Sequence, residues 1–576
     1  MILQALTAYY ESLVRTGKLE APGWAPAKVG VALDLGENGE VEQAISLIGP
    51  ITRGKKTVIG PRVINMPAQA KRTVDISANF LCDNSSYMLG FDKKGKPARS
   101  LKCFAACKKL HEELLEGVDS PAARTVLAFF ESWAPETAQE HPALAACMDN
   151  LLEGANITFR YHGSFVHDDP DIRAAWQRHY DAADGGPQAI CLVTGERCAP
   201  VAVHPSIKGV QGAQSSGAAL VSFNAPAFWS YGKEQSLNAP TGKYAAFAYT
   251  SALNDLIASS DCAMRLSDTT VLFWAKDASP SYSRIFRSCL GDSRYSIDDL
   301  RSLTKALCAG EPFTFEETRL KPQMEFFILG ISPNAARLSV RFFLRNSFGE
   351  IMRRVQEHYE RLEIVRPSLD KREYLTMWSL LDETVNKKSR DKLPPPVLAG
   401  ELLRAIVFGT RYPATLLNGI TLRIRAEHEV TRGRAAILKA YYIQNTHPNV
   451  PKEVLHVSLN PDSTNIPYTL GRLFSLLEAI QKSANRDIQS TIKDRYFNSA
   501  SSTPSTVFPT LVNLAQKHLK KLDDGLRVYY EKQLSDLFTK LGENYPTRMN
   551  LAQQGAFQIG YYHQTQANYG NSKKED

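Results

Sequence analysis

The sequence predicts an α+β fold, in which an N-terminal mixed α/β region with irregular sheets precedes an all-α region. Strand-like and helix-like segments follow each other irregularly as far as residue 346, unlike the regular alternation of a βαβ protein. Beyond Ser347, nearly every segment has apolar residues at the i, i+3, i+4 spacing of an amphipathic helix. These patterns predict three domains, at residues 1–346 (α+β), 347–456 (helical connection) and 457–576 (helical bundle).

The elements of the first region can be read in order. The opening segment MILQALTAYYESLV predicts a helix of the mature protein, because it has neither the basic leader nor the small-residue site of a signal peptide. The next segments predict strands in VGVALDLG, TVIG, RVINM and TVDI, and then helices from Ser100 to about Glu153. Further strands are predicted in ITFRYHG, AICLVTG and VAVH, followed by a long loop over Pro205–Pro240 and by YAAFAYTSALNDLIAS (helix), TTVLFWAK, EFFILGIS and RLSVRFFLR (strands).

The C-terminal region contains one strong linker candidate, Asn445–Pro467, which is rich in Pro, Asn, Asp and Ser. After it, four or five helical segments begin with GRLFSLLEAIQKSA and end with MNLAQQGAFQIGYYHQTQAN. A run of that length predicts a bundle that can fold by itself.

Charge is concentrated in one window of the chain. The 576 residues contain 68 Lys and Arg against 60 Asp and Glu, a net charge of +8. Ile51–Lys109 alone has thirteen basic and three acidic residues, a net charge of +10, so the rest of the chain sums to −2. A clustered basic face is typical of polyanion binding, and a solvated lysine-rich surface is the alternative. The candidate phosphate contacts are Lys55, Lys56, Arg62, Lys71 and Arg72, and the candidate base-edge contacts in this window are Asn79 and Asn84.

Composition and motifs exclude several functional classes. A hydrophobic content of 43% excludes a disordered chain, and no apolar run is long enough for a membrane span. Nine cysteines without a paired framework suit a reducing cytoplasm. Neither GxxxxGK[ST] nor GxSxG occurs, and no metal or other cofactor is expected. The cysteines with short spacings are interpreted as small buried residues rather than metal ligands: Cys103, Cys107, Cys191 and Cys198.

One acidic cluster offers an enzymatic alternative. The segment FVHDDPD places His167 beside Asp168 and Asp169, and such ligands suit a metal-dependent nuclease. A polar turn closed by Asp-Pro is the other interpretation, and one local cluster falls short of a two-metal ligand set.

Two further segments suggest contacts with a polymer. The segment KGVQGAQSSG contains Gly209, Gly212 and Gly217, whose small size allows a close backbone approach, with Gln211 and Gln214 as amide side chains; a plain surface loop is the alternative. The segment PNAARLSVRFFLR predicts a strand with a row of arginines on one face, because their spacing is even. This row is a candidate RNA or phosphate contact, formed by Asn334, Arg337, Arg341 and Arg345.

Aromatic residues are frequent between residues 223 and 249. Most are expected in the core because they fall on helical or strand spacing, and some are candidates for stacking on unpaired bases. The set contains Phe223, Phe228, Trp229, Tyr231, Tyr244, Phe247 and Tyr249.

Long segments of the chain resemble one known family. They occur in order from residue 1 to about 565 and include PGWAPAKVGVALDL, RTVDISANFLCDNSSYMLG, CLVTGERCAP, HPSIKGVQGAQSSGAALVSFNAPAFWSYGKEQSLNAP, LGISPNAARLSVRFF and QQGAFQIGYYHQ. They resemble the large subunit of the type I-C CRISPR Cascade complex.

The resemblance implies a non-catalytic subunit that recognises a protospacer-adjacent motif in double-stranded DNA. It would also start duplex opening for crRNA pairing, stabilise the R-loop and recruit the helicase-nuclease. The implied partners are crRNA, the target duplex, the displaced single strand, the crRNA-processing cap subunit, the backbone filament subunit and the small subunit. The implied location is the cytoplasm, without a membrane.

The resemblance also suggests roles for particular residues. Relatives use a glycine loop, a lysine finger and a glutamine wedge, and by analogy Lys208, Gly209 and Gln214 could serve in these roles. Together with the residues chosen for their amide side chains, the candidate motif-reading set is Asn79, Asn84, Lys208, Gly209, Gln211 and Gln214. The basic residues expected along the displaced strand are Arg472, Lys482, Lys493, Arg495, Lys517, Lys520 and Lys521. An internal translation start near Val457 would release about 120 residues as a separate small subunit.

Overall fold

The chain is described by a computed structural model covering residues 1–53, 56–69, 76–92, 97–182, 188–291, 297–390, 392–395, 397–485, 487–543 and 545–571. The fold is α+β, as predicted. It divides into two compact units: unit 1 is Met1–Pro205 with Val221–Ala252, and unit 2 is Ser206–Leu220 with Leu253–Asp576. Both predicted boundaries, after residues 346 and 456, lie within unit 2, and the division into three domains stays a prediction.

Unit 1 combines short strands with helices. Its elements are α1 (Ile2–Arg15), β1 (Trp24–Val29), β2 (Val31–Leu35), β3 (Val41–Ser46), β4 (Ile48–Arg53), β5 (Lys56–Pro67), α2 (Ser85–Met88), α3 (Pro97–Leu115), α4 (Pro121–Ser132), α5 (Met148–Leu152), β6 (Ile157–Tyr161), β7 (Ser164–Phe165), α6 (Pro170–Ala182), β8 (Ala189–Ile190), β9 (Arg197–Cys198) and α7 (Lys243–Ala258), whose residues from Leu253 onward are assigned to unit 2.

The sheets of unit 1 are small and mixed. One has the strand order β3-β2-β6-β7, with β2 parallel to β6, and a second has the antiparallel order β1-β5-β4. The predicted strands TVIG and RVINM are one continuous strand, β5. VAVH is not a strand, since Val201 makes a single backbone hydrogen bond to Thr241 there. Most of TVDI lies outside the described residues.

Unit 2 contains an antiparallel sheet followed by helices. Its elements are β10 (Ala263–Leu266), β11 (Thr269–Ala275), α8 (Pro280–Cys289), α9 (Ile297–Cys308), β12 (Phe313–Phe315), β13 (Thr318–Leu320), β14 (Glu325–Asn334), β15 (Arg337–Ser347), α10 (Phe348–Leu362), α11 (Met377–Asp382), α12 (Leu398–Phe408), α13 (Ala414–Glu427), α14 (Arg432–Gln444), α15 (Ile466–Ala484), α16 (Ile492–Ser502), α17 (Pro504–Leu519), α18 (Asp524–Leu541) and α19 (Leu551–Asn571). The larger sheet has the order β10-β11-β14-β15.

Helix α19 lies in the centre of the helical part of unit 2. Its residues 554–564 are all buried, and it packs along α15 with backbones in close approach at Gly471 and Gly560. The hydroxyl of Tyr562 donates to the Val365 carbonyl at 2.7 Å. The core of unit 2 therefore runs without interruption from the sheet to α19.

Four buried histidines make stability depend on acid pH. Burial lowers the pKa of His358 and His563 to about 3, and that of His111 and His204 to about 4. An unfolded chain has histidines near their ordinary pKa of about 6.5, so between pH 6.5 and 4 it binds protons that the folded chain does not. We expect the free energy of unfolding to keep this contribution above pH 6.5. Below pH 6.5 it should fall by about 1.4 kcal/mol per pH unit for each histidine.

Denaturant unfolding at a series of pH values measures this slope. The His358→Gln variant is expected to reduce the slope of the unfolding free energy against pH by about 1.4 kcal/mol per pH unit, because one histidine no longer contributes. This expectation holds even if the substitution changes the stability at pH 7. A slope unchanged by this substitution would contradict the prediction.

Candidate nucleic-acid interface

A two-stranded hairpin extends from the second sheet of unit 1. Strand β5 pairs with β1 over Arg62–Pro67, and with β4 over Lys56–Pro61. Strand β4 and the Lys56–Pro61 part of β5, which together we call the hairpin arm, therefore form a ribbon of two strands in which Arg53 lies opposite Lys56. Ile59 is exposed on it, so this part of the strand is not packed into a core.

Two of the predicted phosphate contacts lie in this arm or directly beside it. Arg62 is exposed at its base, and Lys56 begins β5. The other predicted contacts, Lys55, Lys71 and Arg72, lie outside the described residues.

Arg62 has a cationic neighbour that the sequence analysis missed. The guanidinium carbons of Arg62 and Arg160 lie 5.9 Å and 5.8 Å from the ring centre of Phe165. Arg160 also donates to the Gly163 carbonyl at 2.5 Å, which fixes its position in the β6–β7 turn. The two arginines thus share one aromatic ring at the base of the arm.

The two predicted asparagines have structural roles. Asn79 is buried, and its backbone N–H donates to Asp83 Oδ2 at 2.9 Å. Asn84 is the N-cap of α2, because its Oδ1 accepts the Ser86 N–H at 3.1 Å. Neither asparagine is therefore assigned to the reading of base edges.

The segment Ser206–Leu220, which we call the glycine loop, is firmly attached to unit 2. Ile207 and Ala218 exchange two backbone hydrogen bonds, and the Lys208 N–H donates to Asn254 Oδ1 at 2.8 Å. At the other end, Ala219 forms a parallel bridge to Arg337 at the start of β15. The loop is thus held at both ends.

The three predicted glycines shape this loop. Gly209, Gly212 and Gly217 all have positive φ, between +84° and +104°. A Cβ on Gly217 would lie 2.7 Å from that of Ser206, so only glycine fits there. The glycines let the loop fold against its own unit, and its exposed polar side chains include Lys208, Gln211, Gln214, Ser215 and Ser216.

The arginines of β15 do not form the predicted row. A β-bulge between Val340 and Phe342 adds one residue to the strand, which reverses the alternation of side chains. Arg337 and Arg345 therefore lie on opposite faces, and the prediction of one shared face is wrong. The exposed residue Asn334 pairs with Arg337 at the turn between β14 and β15.

Two of these arginines are already paired with acids. Arg341 Nη2 lies 3.2 Å from Asp268 Oδ2, and Arg345 Nε donates to Glu325 Oε1 at 2.6 Å. Lys276 also binds Glu325, and these two cations hold the pKa of that carboxyl below its ordinary value, with the Lys276 hydrogen bond as the larger cause. Only weak exposed pairs are involved, so a polyanion can compete for them.

The C-terminal basic residues differ in their burial and in the contacts they make within unit 2. Arg472 is buried and donates to Gln564 Oε1 at 3.2 Å and to the Asn460 and Pro461 carbonyls, so it holds the core of unit 2. Lys482 pairs with Glu478 at 2.7 Å, and Lys521 donates to Asn485 at 3.1 Å. The remaining predicted residues are half-buried (Lys493) or exposed (Arg495, Lys517 and Lys520).

The acidic cluster FVHDDPD is a helix cap. Asp169 Oδ1 accepts the N–H groups of Asp171 and Ile172 at the start of α6, and its other oxygen accepts the Ser120 hydroxyl at 2.8 Å. His167 is buried, and burial lowers its pKa. Within the ranges that the structure describes, no group of three or more His, Cys, Asp or Glu could hold a metal ion.

Three of the four cysteines that were predicted to be buried are buried. Cys103, Cys107 and Cys191 are buried free thiols, while Cys198 is half-buried.

Among the helices of the described ranges, none combines the length and the apolar character that a membrane crossing requires.

Comparison with protein-family models identifies the class of the protein. The chain matches a model of CRISPR-associated proteins over residues 6–569. It belongs to the family described as CRISPR-associated protein (Cas_Csd1), and the family indicates the large subunit of a CRISPR Cascade complex. A search of curated proteins gave no significant match. The resemblance found in the sequence is confirmed at this level.

Proposed function

We propose that this protein is the non-catalytic large subunit of a type I-C Cascade complex. In this proposal it recognises the protospacer-adjacent motif in double-stranded DNA, starts duplex opening for crRNA pairing, stabilises the R-loop and recruits the helicase-nuclease. Its partners are crRNA, both DNA strands, the cap, filament and small subunits and the recruited enzyme, in the cytoplasm. The observation that carries the proposal is the hairpin arm, a two-stranded ribbon that lies largely in the +10 window of the chain.

The arm suits a duplex for geometric and electrostatic reasons. A two-stranded ribbon fits the major groove of B-form DNA, and basic side chains around it neutralise phosphates. Arg62 and Arg160 are held by the Phe165 ring at the base of the arm. Phosphate contacts position a protein on DNA without reading its sequence. We therefore assign gripping of the duplex to the arm and the basic residues near it.

The glycine loop suits the reading of base edges. Gln211 and Gln214 carry amides that can pair with adenine, and Lys208 can donate to guanine. Their backbone is ordered by the Ile207–Ala218 pair and by Asn254, so little entropy is lost when the loop binds. We therefore assign motif reading and the opening of the first base pair to this loop. The exposed residues Arg495, Lys517 and Lys520 are proposed contacts for the displaced strand.

No nuclease activity is part of this proposal. The acidic cluster that suggested one is explained by its role as the cap of α6, since Asp169 uses both oxygens within unit 1. In this proposal, target cleavage belongs to the recruited enzyme.

Two sets of substitutions separate gripping from reading. Changing the gripping residues Lys55, Lys56, Arg62, Lys71 and Arg72 to alanine is expected to weaken binding of every duplex, whatever its flanking motif. It should also reduce the slope of log K against log salt by about one for each lost phosphate contact. Changing Gln211 and Gln214 to alanine is expected to leave the salt slope intact and to reduce discrimination between flanking motifs about tenfold. Salt-dependent binding of labelled duplexes to the assembled complex measures both effects.

Lys108→Ala with Lys109→Ala is the matched control. Both lysines lie in the same basic window but on α3, paired with Glu112 and Glu113, so little change is expected. Equal behaviour of the gripping and reading variants would contradict the division of labour. A control as damaging as the gripping variant would show that only the total charge matters.

A further inference from the structure

A tyrosine at the tip of a tight turn is almost fully exposed. Tyr231 has 97% of its surface exposed, within the turn Ser230–Lys233 of unit 1. The Lys233 N–H donates to the Ser230 carbonyl at 3.0 Å, and the two residues form a β-bridge. Tyr231 and Gly232 have φ values of +53° and +64°, the signs that a type I′ turn requires at its central residues. The ring therefore stands at the apex of a miniature hairpin.

This conformation is strained for a tyrosine. Glycine, asparagine and aspartate suit the first central position, whereas a residue with a bulky side chain costs about 1–2 kcal/mol in the left-handed region. The ring recovers none of this by packing, because its surface is exposed to solvent. A strained backbone that presents an uncovered ring points to a contact outside the chain.

The turn is held rigidly by one side chain. Asn238 Oδ1 accepts the Ser230 N–H at 2.8 Å, and its Nδ2 donates to the carbonyls of Lys233 and Gln235 at 2.7 and 2.8 Å. Just before the turn, Trp229 Nε1 donates to the Phe223 carbonyl at 3.0 Å. The ring of Tyr231 is thus presented by an ordered backbone, which reduces the entropy lost when it binds.

We propose that the ring of Tyr231 stacks on an unpaired nucleobase. This inference rests on the proposed function, because a duplex that is opened supplies such bases. Stacking of a base on an aromatic ring contributes about 1–3 kcal/mol and tolerates any base. Lys233 and Glu234 follow the ring with opposite charges, so the contact depends on stacking rather than on attraction to phosphate.

A base suits this tip better than a protein pocket does. Aromatic anchors of protein interfaces are surrounded by contacts that exclude water. The residues after Tyr231 are exposed and lack apolar side chains, namely Gly232, Lys233, Glu234 and Gln235. On its C-terminal side the ring therefore has no apolar neighbours, and its flat face matches the size of one base.

Two substitutions at Tyr231 test the proposal. Tyr231→Asn removes the ring and places a favoured residue in the turn, so the variant should fold at least as well as the wild type. Tyr231→Phe keeps the ring. The probes are a DNA duplex with an internal bubble of unpaired bases, the same duplex fully paired, and a single-stranded RNA. We expect Tyr231→Asn to bind a probe with unpaired bases about tenfold more weakly, with paired-duplex binding unchanged and Tyr231→Phe like the wild type.

Each outcome decides between defined alternatives. A loss on the bubble alone assigns the stacked base to DNA, and a loss on the RNA alone assigns it to the guide. If Tyr231→Asn binds all probes as the wild type does, the stacking inference is wrong while the proposed function stands. If the wild type binds no duplex, the proposed function fails instead. A variant with normal nucleic-acid binding that does not assemble with other Cascade subunits would make Tyr231 a protein contact and overturn the inference.

Discussion

The Gly560→Ala variant is expected to lose at least about 3 kcal/mol of stability and much of its soluble yield. A Cβ at Gly560 on α19 would lie 2.1 Å from the Tyr468 carbonyl oxygen of α15, and one at Gly471 would lie 2.0 Å from the Phe557 carbonyl oxygen. The obstacle in both cases is backbone, which no rotamer change can move. The two helices would have to separate along a line that includes the buried ring of Phe474, which packs against Phe557.

Gly400→Ala is the matched control for this substitution. Gly400 lies within α12, and a Cβ there would meet no atom within 4 Å. Alanine should therefore stabilise this helix by about 0.5–1 kcal/mol through its higher helix propensity. Denaturant unfolding followed by circular dichroism compares the two variants. An unfolding midpoint of Gly560→Ala equal to that of the wild type would contradict the close approach of α15 and α19.

The Arg434→Met variant is expected to lose about 3 kcal/mol, because it removes a buried cation and leaves the half-buried carboxylates of Glu383 and Glu427 without their partner. Arg434 is 1% exposed and lies on α14. Its guanidinium pairs with Glu427, its Nε lies 3.3 Å from Glu383 Oε2, and its Nη1 donates to the Glu429 carbonyl at 2.9 Å. Burial already raises the pKa of Glu383, so this carboxyl has little solvent to replace the lost partner.

Arg353→Met provides the comparison on an exposed surface. Arg353 pairs with Glu350 and Glu357 on α10, but Arg353 itself is exposed and its partners are partly so, and the expected loss is therefore below about 1 kcal/mol. Adding Glu383→Gln to Arg434→Met should restore part of the lost stability, because it removes one of the unpaired charges. Equal losses for the exposed and the buried arginine would contradict the assignment of Arg434 to the core.

Local patterns in the sequence predict the helical half of the fold well. The periodic segments after Ser347 became α10–α19, because amphipathic spacing requires only neighbouring turns of one helix. The segment VAVH has a strand-like composition but no partner strand, and pairing cannot be read from composition. Arg472 was expected at the surface, yet it is buried among carbonyl groups of unit 2. The apolar residues on all sides of it in LGRLFSLL are the signal that could have indicated a buried helix.

The candidate site was predictable where it depends on residue type and not where it depends on distant contacts. The glycines of the loop were identified for their small size, and the structure gives them another role, because all three have positive φ. The anchor Asn254, the pair formed by Arg160 and Phe165, and the bulge that turns Arg337 away from Arg345 all depend on contacts between segments far apart in sequence. The assignment of Ser206–Leu220 to unit 2 likewise depends on the bridge from Ala219 to Arg337.

The central position of α19 has a consequence for synthesis of the protein. Every other element of unit 2 precedes α19 in the sequence, so a ribosome releases them while the helix that fills their core is still untranslated. Until then, the apolar sides of α14 and α15 face solvent or a chaperone. A product that starts near Val457 would include α15 and α19 together but would leave the α14-facing side of α19 uncovered. The core of unit 2 can therefore be completed only after α19 has been translated.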